Sequence, residues 1–481
     1  MEIEFSYIKN RIREYKKEDL IDYSYQLLDF NKNDFKPVWF VFLLMKWTYL
    51  YGGEKYPVKK LTPEKFNHIL NCISNFNSDH ISNFIKAGKI DRAMNIFYSQ
   101  QFYLQKIVHK EVYAIQLKLY KSITGKYDIE NSFKEKTGLS ISAFIYLSQI
   151  IWLYVQSAKN NETNLNFNGY LEIDFLNVCA EMTSPEQVTK LVELIVLDPL
   201  NSVEKINGFK RNLRNEDLQS MERTFFTIYP FQIFNNKIKL IHESVLNHFI
   251  NYYIYDFLKA NDENFTTEFG SRFEKYIGLS LKEVKLNFIN ENELKKKLKI
   301  NSNLVDFHLE DLNIYIECKA IELQPIPLVN PTDEILYNSL KESILKAYFK
   351  QLLNVSKSIN SKKENWGLII TYKELYWSQF SELFEMSKDK FENSKDSHFL
   401  PPENVFILDI YSWNRTLQII KDGKATLIEI LEKARLTNSK QETRKQTFSM
   451  HLDEYAITNF NFDFLKDEIE LLKIEKNKHI V

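Results

Sequence analysis

The sequence predicts an α+β multidomain protein: an all-α N-terminal domain over residues 1–255, an α/β domain with a mixed central sheet over 256–425, and a helical C-terminal segment over 426–481. Three observations carry this prediction. A chain of 481 residues is too long for one ordinary hydrophobic core. Glycine and proline number only 11 each, and so few breakers over this length favour long helices. Beyond about residue 265 the apolar spacing changes from every third or fourth residue to every second, and short Ile- and Val-rich runs appear.

In the first part the helices are marked by their caps. "LTPEKFNHILNCISNF" begins with Thr62 as N-cap, Pro63 at the first helical position and Glu64 in the first turn; "TSPEQVTKLVELIV" repeats the device with Ser184, Pro185 and Glu186. "KEVYAIQLKLYKSI" has the spacing of an amphipathic helix. "VWFVFLLM" and "ISAFIYLSQIIWLYV" fall short of the roughly 18–20 apolar residues a membrane span needs, and Ser148 and Gln149 interrupt the second, so both read as buried helices. No internal repeat stands out. "IHESVLNHFINYYIYDFLKAN" reads as a last long helix and "KANDENFTTEFG" as the linker after it.

In the second part "GSRFEKYIGLSL" reads as a helix, "KEVKLNFIN" as a strand, and the Lys-rich "ENELKKKLKI" as a solvated face. "NSNLVDFHLEDLNIYIECKA" alternates as a hairpin, and "TDEILYNSLKESILKAYFKQLLNVSKSI" is a long helical pattern. "WGLIITY" and "NVFILDI" suit buried central strands. Helix, three strands, helix, strand, helix, strand is an α/β order. The tail from 426 reads as further helix interrupted by the polar "TNSKQETRKQTF".

Composition excludes several classes. A net charge of −1 supplies no global field toward nucleic acid or membrane. Cys72, Cys179 and Cys318 are far apart, with no zinc-type spacing, so a reducing cytoplasmic setting is expected. "MEIEFSYIKNRIREY" lacks the apolar core of a secretory signal. His242 and His248 show no metal or base–nucleophile spacing.

The chemistry gathers on the hairpin. A turn near Glu310–Leu312 sets Asp306 opposite Glu317 and His308 opposite Tyr315. Alternation places Asp306, His308, Tyr315, Glu317 and Lys319 on one face, and Val305, Phe307, Ile314, Ile316 and Cys318 on the other, the core face. Two clustered carboxylates repel unless a cation joins them, and a hard cation such as Mg²⁺ takes one or two carboxylates while keeping several waters. Such an ion acidifies water and stabilises charge on a phosphoryl oxygen, and an adjacent lysine offsets the negative charge that develops there. His308 reads as a polar neighbour and Cys318 as a buried thiol.

"VDFHLEDLNIYIECKA" resembles motifs II and III of the PD-(D/E)xK nuclease superfamily, with its restriction-endonuclease-like fold. Asp306 matches the acid of motif II, and Glu317, Cys318 and Lys319 match the ExK of motif III. Upstream, "FGSRFEKYIG" is similar to the family's first helix, with Glu274 at the acid of motif I; downstream, Gln351 in "KAYFKQLLN" is similar to a glutamine on the following helix. The resemblance spans roughly residues 265–410. It departs from the family in the long Pro-containing "AIELQPIPLVNPTDE" between motif III and the Gln351 helix. The resemblance implies Mg²⁺ or Mn²⁺ bound by Asp306, Glu317 and the main-chain carbonyl of Cys318. It also implies a water assisted by Lys319, with Glu274 tuning or bridging the metal shell and Gln351 orienting water or substrate.

The expected function is therefore a metal-dependent endonuclease acting on DNA. Its helical N-terminal domain would recognise a partner, a DNA structure or a signal, and could also join two copies of the chain. By analogy, such a nuclease with a large helical module suggests bacterial defence against foreign DNA. The alternatives are an RNA-cleaving enzyme of the same fold and a non-catalytic nucleic-acid- or partner-binding protein.

Overall fold

The structure, a computed structural model, describes residues 4–30, 38–53, 58–101, 108, 111–157, 167–199, 203–209, 225–300, 304–323, 325–457 and 459–473. It is mixed α/β with two small sheets, each containing parallel and antiparallel pairs. The chain divides into two compact units. One is built from residues up to 108 and from 133 to 257; the other is built from 109–132 and 258–473.

In the first unit, helices Phe5–Ile12, Lys17–Phe30, Val38–Tyr51 and Pro63–Lys86 share a core that includes Ile8, Leu20, Phe42, Trp47 and Ile73. Val38–Tyr51 is apolar on all sides because it is buried on nearly all sides, Lys46 included. Among the described residues no single helix is long and apolar enough to cross a membrane. Thr62 and Ser184 cap their helices as their sequences require, each side-chain oxygen accepting from the backbone N–H three residues on.

The expectation of an all-α N-terminal domain is corrected here. Strands β1 (Tyr170–Leu171), β2 (Val196–Leu197), β3 (Phe231–Phe234) and β4 (Lys237–Leu240) form a sheet in the order β1-β4-β3-β2. β3 and β4 are a hairpin whose two-residue turn, Asn235–Asn236, has φ of 50° and 60°. Asparagine tolerates this left-handed region, and two such residues match the strand twist.

The second unit is organised on a sheet of β5 (Ile289–Asn290), β6 (Phe307–Leu309), β7 (Ile314–Lys319), β8 (Trp366–Thr371) and β9 (Val405–Asp409), in that spatial order. β5, β6 and β7 are antiparallel neighbours; β7, β8 and β9 run parallel. β8 and β9 are buried at every position, as strands covered on both faces are; β8 is central as expected, whereas β9 is the last strand of the sheet rather than a central one.

Four local expectations change. The linker "KANDENFTTEFG" shrinks to residues 262–264, because helices Glu243–Asn261 and Phe265–Glu283 take up the rest. "KEVKLNFIN" pairs only through Ile289–Asn290, because that helix continues to Glu283 and Lys285 turns the chain at φ 56°. Glu111–Leu117 is buried all round from Tyr113 to Leu117 rather than amphipathic. The tail holds helices Leu427–Asn438 and Lys466–Leu471, but the described residues between them form turns, irregular chain and the short 3-10 segments Phe448–His451, Asp453–Tyr455 and Asp463–Leu465.

Residues 118–127 are locked to the helix that carries Glu274. Arg272 donates to Glu268 Oε1 at 2.7 Å and to the carbonyls of Tyr120 and Tyr127 at 2.7 and 2.8 Å. Glu268 Oε2 accepts from the N–H groups of Lys126 and Tyr127 at 3.0 and 3.2 Å. Breaking such a buried, fully bonded ion pair by removing one partner costs about 3–5 kcal/mol. Gly125 is required by this clamp, since a Cβ there would overlap the Glu268 carboxylate.

Candidate active site

The β6–β7 hairpin has the register its alternation demands: Phe307 faces Ile316, His308 faces Tyr315 and Leu309 faces Ile314. Its turn ends at Asn313, whose φ of 56° is again left-handed. Residues 301–303, the start of the stretch read as a hairpin, lie outside the described residues. Asp306 sits one residue before β6, where its Oδ2 accepts from the Cys318 N–H at 2.7 Å. That bond continues the ladder with a side chain in place of a carbonyl.

Glu317 lies on β7 with β6 on one side and β8 on the other, and is 1% exposed. Its Oε1 accepts from Lys319 Nζ at 2.5 Å and from Gln351 Nε2 at 2.7 Å. Among the described residues, Glu317 Oε2 and Gln351 Oε1 are buried without a hydrogen-bond partner. An unpaired buried polar atom costs about 1–3 kcal/mol, more when charged, so a native structure that retains two of them calls for an explanation.

Gln351 is placed by a π-helical turn, Ala347–Leu352, which widens the helix before Leu353–Ile359. Such turns are frequent at functional sites. The single helix expected over 332–359 is thus broken into pieces. Gln351 also donates to the Leu304 carbonyl at 3.0 Å, while the Leu304 N–H donates to Glu291 Oε1 at 3.0 Å. Held on both sides, Leu304 sets the backbone two residues before Asp306.

The face read as polar is itself covered. Tyr315 packs with Leu345, Tyr348 and Ile369 in the unit's core, and His308 stacks on Tyr315 with centroids 4.7 Å apart. Burial therefore dominates the electrostatics. It pushes the Asp306 carboxyl up to about 8, with the charge of Glu317 adding to the rise. Burial also raises Glu317, against the opposing pull of Lys319, Gln351 and the nearby Asp306 backbone N–H, which is not aligned well enough to count as a full hydrogen-bond partner. Glu274 is pushed up to about 7 by burial, then by Asp306 and Glu291. Burial holds His308 down at about 4, so it is neutral near pH 7. Cys318 is raised well above a usual thiol by burial and by Asp306, Glu317 and Glu274, so it stays protonated.

Asp306, Glu317, Cys318, Lys319 and Gln351 are thus brought together by direct bonds. Glu274 joins them electrostatically, feeling Asp306 and, in the opposite sense, Lys319. Sequence reasoning missed Glu291, a fourth acid that raises both Glu274 and Asp306. Its helix, Glu291–Leu298, opens on an Asn290–Glu293 capping box, a signal readable in "NENE". Two lysines of the "KKKLK" stretch are ion-paired on this helix, Lys295 with Glu291 and Lys297 with Glu310.

The donor set suits a hard cation. Among the described residues no group of three or more His, Cys, Asp or Glu side chains is placed to hold a metal. A Mg²⁺-type ion needs only one or two carboxylates plus waters, and the unpartnered Glu317 Oε2 beside a repelling Asp306 fits that demand. Searches among protein-family models, curated proteins and solved structures found no match to this chain.

Proposed function

We propose that the chain is a metal-dependent endonuclease that hydrolyses DNA phosphodiester bonds on a PD-(D/E)xK-type, restriction-endonuclease-like domain within its second unit. The observation that carries this reading is the state of Glu317. One oxygen is held by Lys319 and Gln351; the other is buried and unpartnered next to a second acid. An unpartnered oxygen alone does not mark a site, since Glu468, paired with Lys118, also leaves its Oε2 without a partner; what sets Glu317 apart is the second buried acid, Asp306, whose proton affinity its charge raises.

In this reading Asp306 and Glu317, with the Cys318 carbonyl, hold Mg²⁺ or Mn²⁺. When bound, the ion supplies Lewis-acid stabilisation of the phosphate and a more acidic water. Lys319 Nζ, anchored on Glu317, offsets the charge that develops on the phosphate oxygens. Gln351 fixes the rotamer of Glu317 and leaves its own Oε1 to accept from water. Glu274, with its carboxyl near 7, can hold or release a proton at neutral pH.

The test is divalent-metal-dependent cleavage of plasmid, single-stranded DNA and RNA by the wild type, Lys319→Ala and Asp306→Ala. Cleavage unchanged by either substitution sinks the site assignment. The lack of a three-side-chain metal group favours one rival, a domain that binds nucleic acid without cutting. Binding without metal-dependent cleavage in the same assay would select it.

A further inference from the structure

Beside Glu274 lies a cleft of about 500 Å³ that the catalytic reading does not use. One wall is the Glu274 helix, which contributes Lys275 and Lys282; the facing wall is the segment 118–124, with Lys118; Phe288 and Phe307 line a third side. We propose that this cleft holds an unpaired strand of DNA running to the scissile phosphate, an inference that rests on the nuclease reading of the adjacent acids.

Charge and shape both point to a single strand. With Lys118 neutralised by Glu468, Lys275 and Lys282 against Glu274 still leave the cleft an excess of positive charge in a chain whose net charge is −1. Lys118 is fixed by Glu468 at 3.2 Å, and Lys275 pins the facing wall through the Thr124 carbonyl at 2.8 Å. Lys282 is exposed on the same helix face two turns further on. The aromatic side is rigid. Phe288 and Phe307 pack edge to face, with centroids 5.1 Å apart and planes at 86°. Phe307 reaches that position because Gly278 has no Cβ, which would sit 3.3 Å from its ring. Phe288 is only partly buried, so it can receive a planar partner. Cations for the backbone beside an aromatic for the base are the two components of single-strand recognition. The volume lies within the range of about 300–1,000 Å³ for small-molecule sites, which is room for a nucleotide.

The experiment is fluorescence anisotropy on the full chain in EDTA, so that binding is read without cleavage. The probes are a labelled single-stranded oligodeoxynucleotide and the duplex of the same sequence. The single strand should bind about tenfold or more tighter. Phe288→Leu, which keeps the apolar volume but removes the ring, should weaken it by about five- to a hundredfold, as loss of one stacked base does, with the duplex little changed. Lys275→Ala and Lys282→Ala should each reduce the slope of log affinity against log salt by about 0.7. Circular dichroism checks that each variant is folded. Equal or tighter binding of duplex, no binding, or a folded Phe288→Leu variant that binds like wild type overturns the proposal. Cleavage with Mn²⁺ is scored separately. Duplex cleavage indifferent to Phe288 would remove this inference and keep the nuclease. Phe288-dependent single-strand binding without cleavage would remove the nuclease and keep the cleft as a binding site.

Discussion

At the scale of the residue, Glu317 shows how one side chain can be both held and frustrated. Lys319 and Gln351 fix Oε1, while Oε2 is buried without a partner and the Glu317 charge raises Asp306. Glu317→Gln keeps the shape and removes the buried charge. We expect it to leave metal-free thermal stability unchanged or raised, to abolish the rise in Tm that Mn²⁺ gives the wild type, and to lower cleavage by roughly 10²–10³, the usual scale for losing one group that stabilises transition-state charge. Thermal melts with and without Mn²⁺ check this; a Glu317→Gln variant still stabilised by Mn²⁺ places the ion elsewhere. Gln351→Ala removes donors to both Glu317 and the Leu304 carbonyl. It should cost about 1–3 kcal/mol in urea denaturation and lower cleavage less than Glu317→Gln does.

At the scale of the element, two devices place these side chains, and they differ in how far they can be read from sequence. The hairpin is local: period-two alternation and a short turn set its register, and His308 does face Tyr315. The caps at Thr62 and Ser184 are local too. The clamp between Glu268, Arg272 and residues 120–127 is not local, because its partners are separated by more than a hundred residues. Nothing in "KEVYAIQLKLYKSI" announces that it joins the second unit rather than the first. The π-turn at Gln351 was hidden as well, since its residues keep a helical apolar spacing. The β3–β4 hairpin was missed although "FQIFNNKIKL" carries a turn signal in its paired asparagines. The clamp makes its own prediction. Gly125→Ala puts a Cβ into the Glu268 carboxylate and should destabilise by about 1–3 kcal/mol, the usual cost of overpacking. In a Glu268→Ala background that clash is gone, so the two effects should be strongly non-additive in a double-mutant cycle. Simple additivity would mean that the segment does not approach the helix at Gly125.

At the scale of the whole molecule, the buried acids tie folding stability to pH and to metal. Asp306 and Glu274 have folded-state values raised to about 8 and about 7, above those of an unfolded chain. A raised carboxyl binds more proton folded than unfolded, so stability falls as pH rises from the unfolded value through the folded one. Below pH 7 an opposing effect intervenes. His308 and His451 are both held down to about 4 by burial, and their neutral forms add stability as pH rises to about 6.5. The window in which the acids act alone among these groups is therefore pH 7 to 8.5. Across it the metal-free protein should lose stability on the order of 1 kcal/mol, since Asp306 still has much of its proton to release there. Asp306→Asn should flatten that slope. Saturating Mn²⁺ should do the same in the wild type, because a cation offsets the repulsion that appears as the protons leave. Urea denaturation at three pH values, with EDTA or Mn²⁺, separates the outcomes. Metal-free stability that is level or rises over this window would mean that Asp306 and Glu274 are not held as a repelling, buried pair. The metal would then have no electrostatic reason to bind between Asp306 and Glu317.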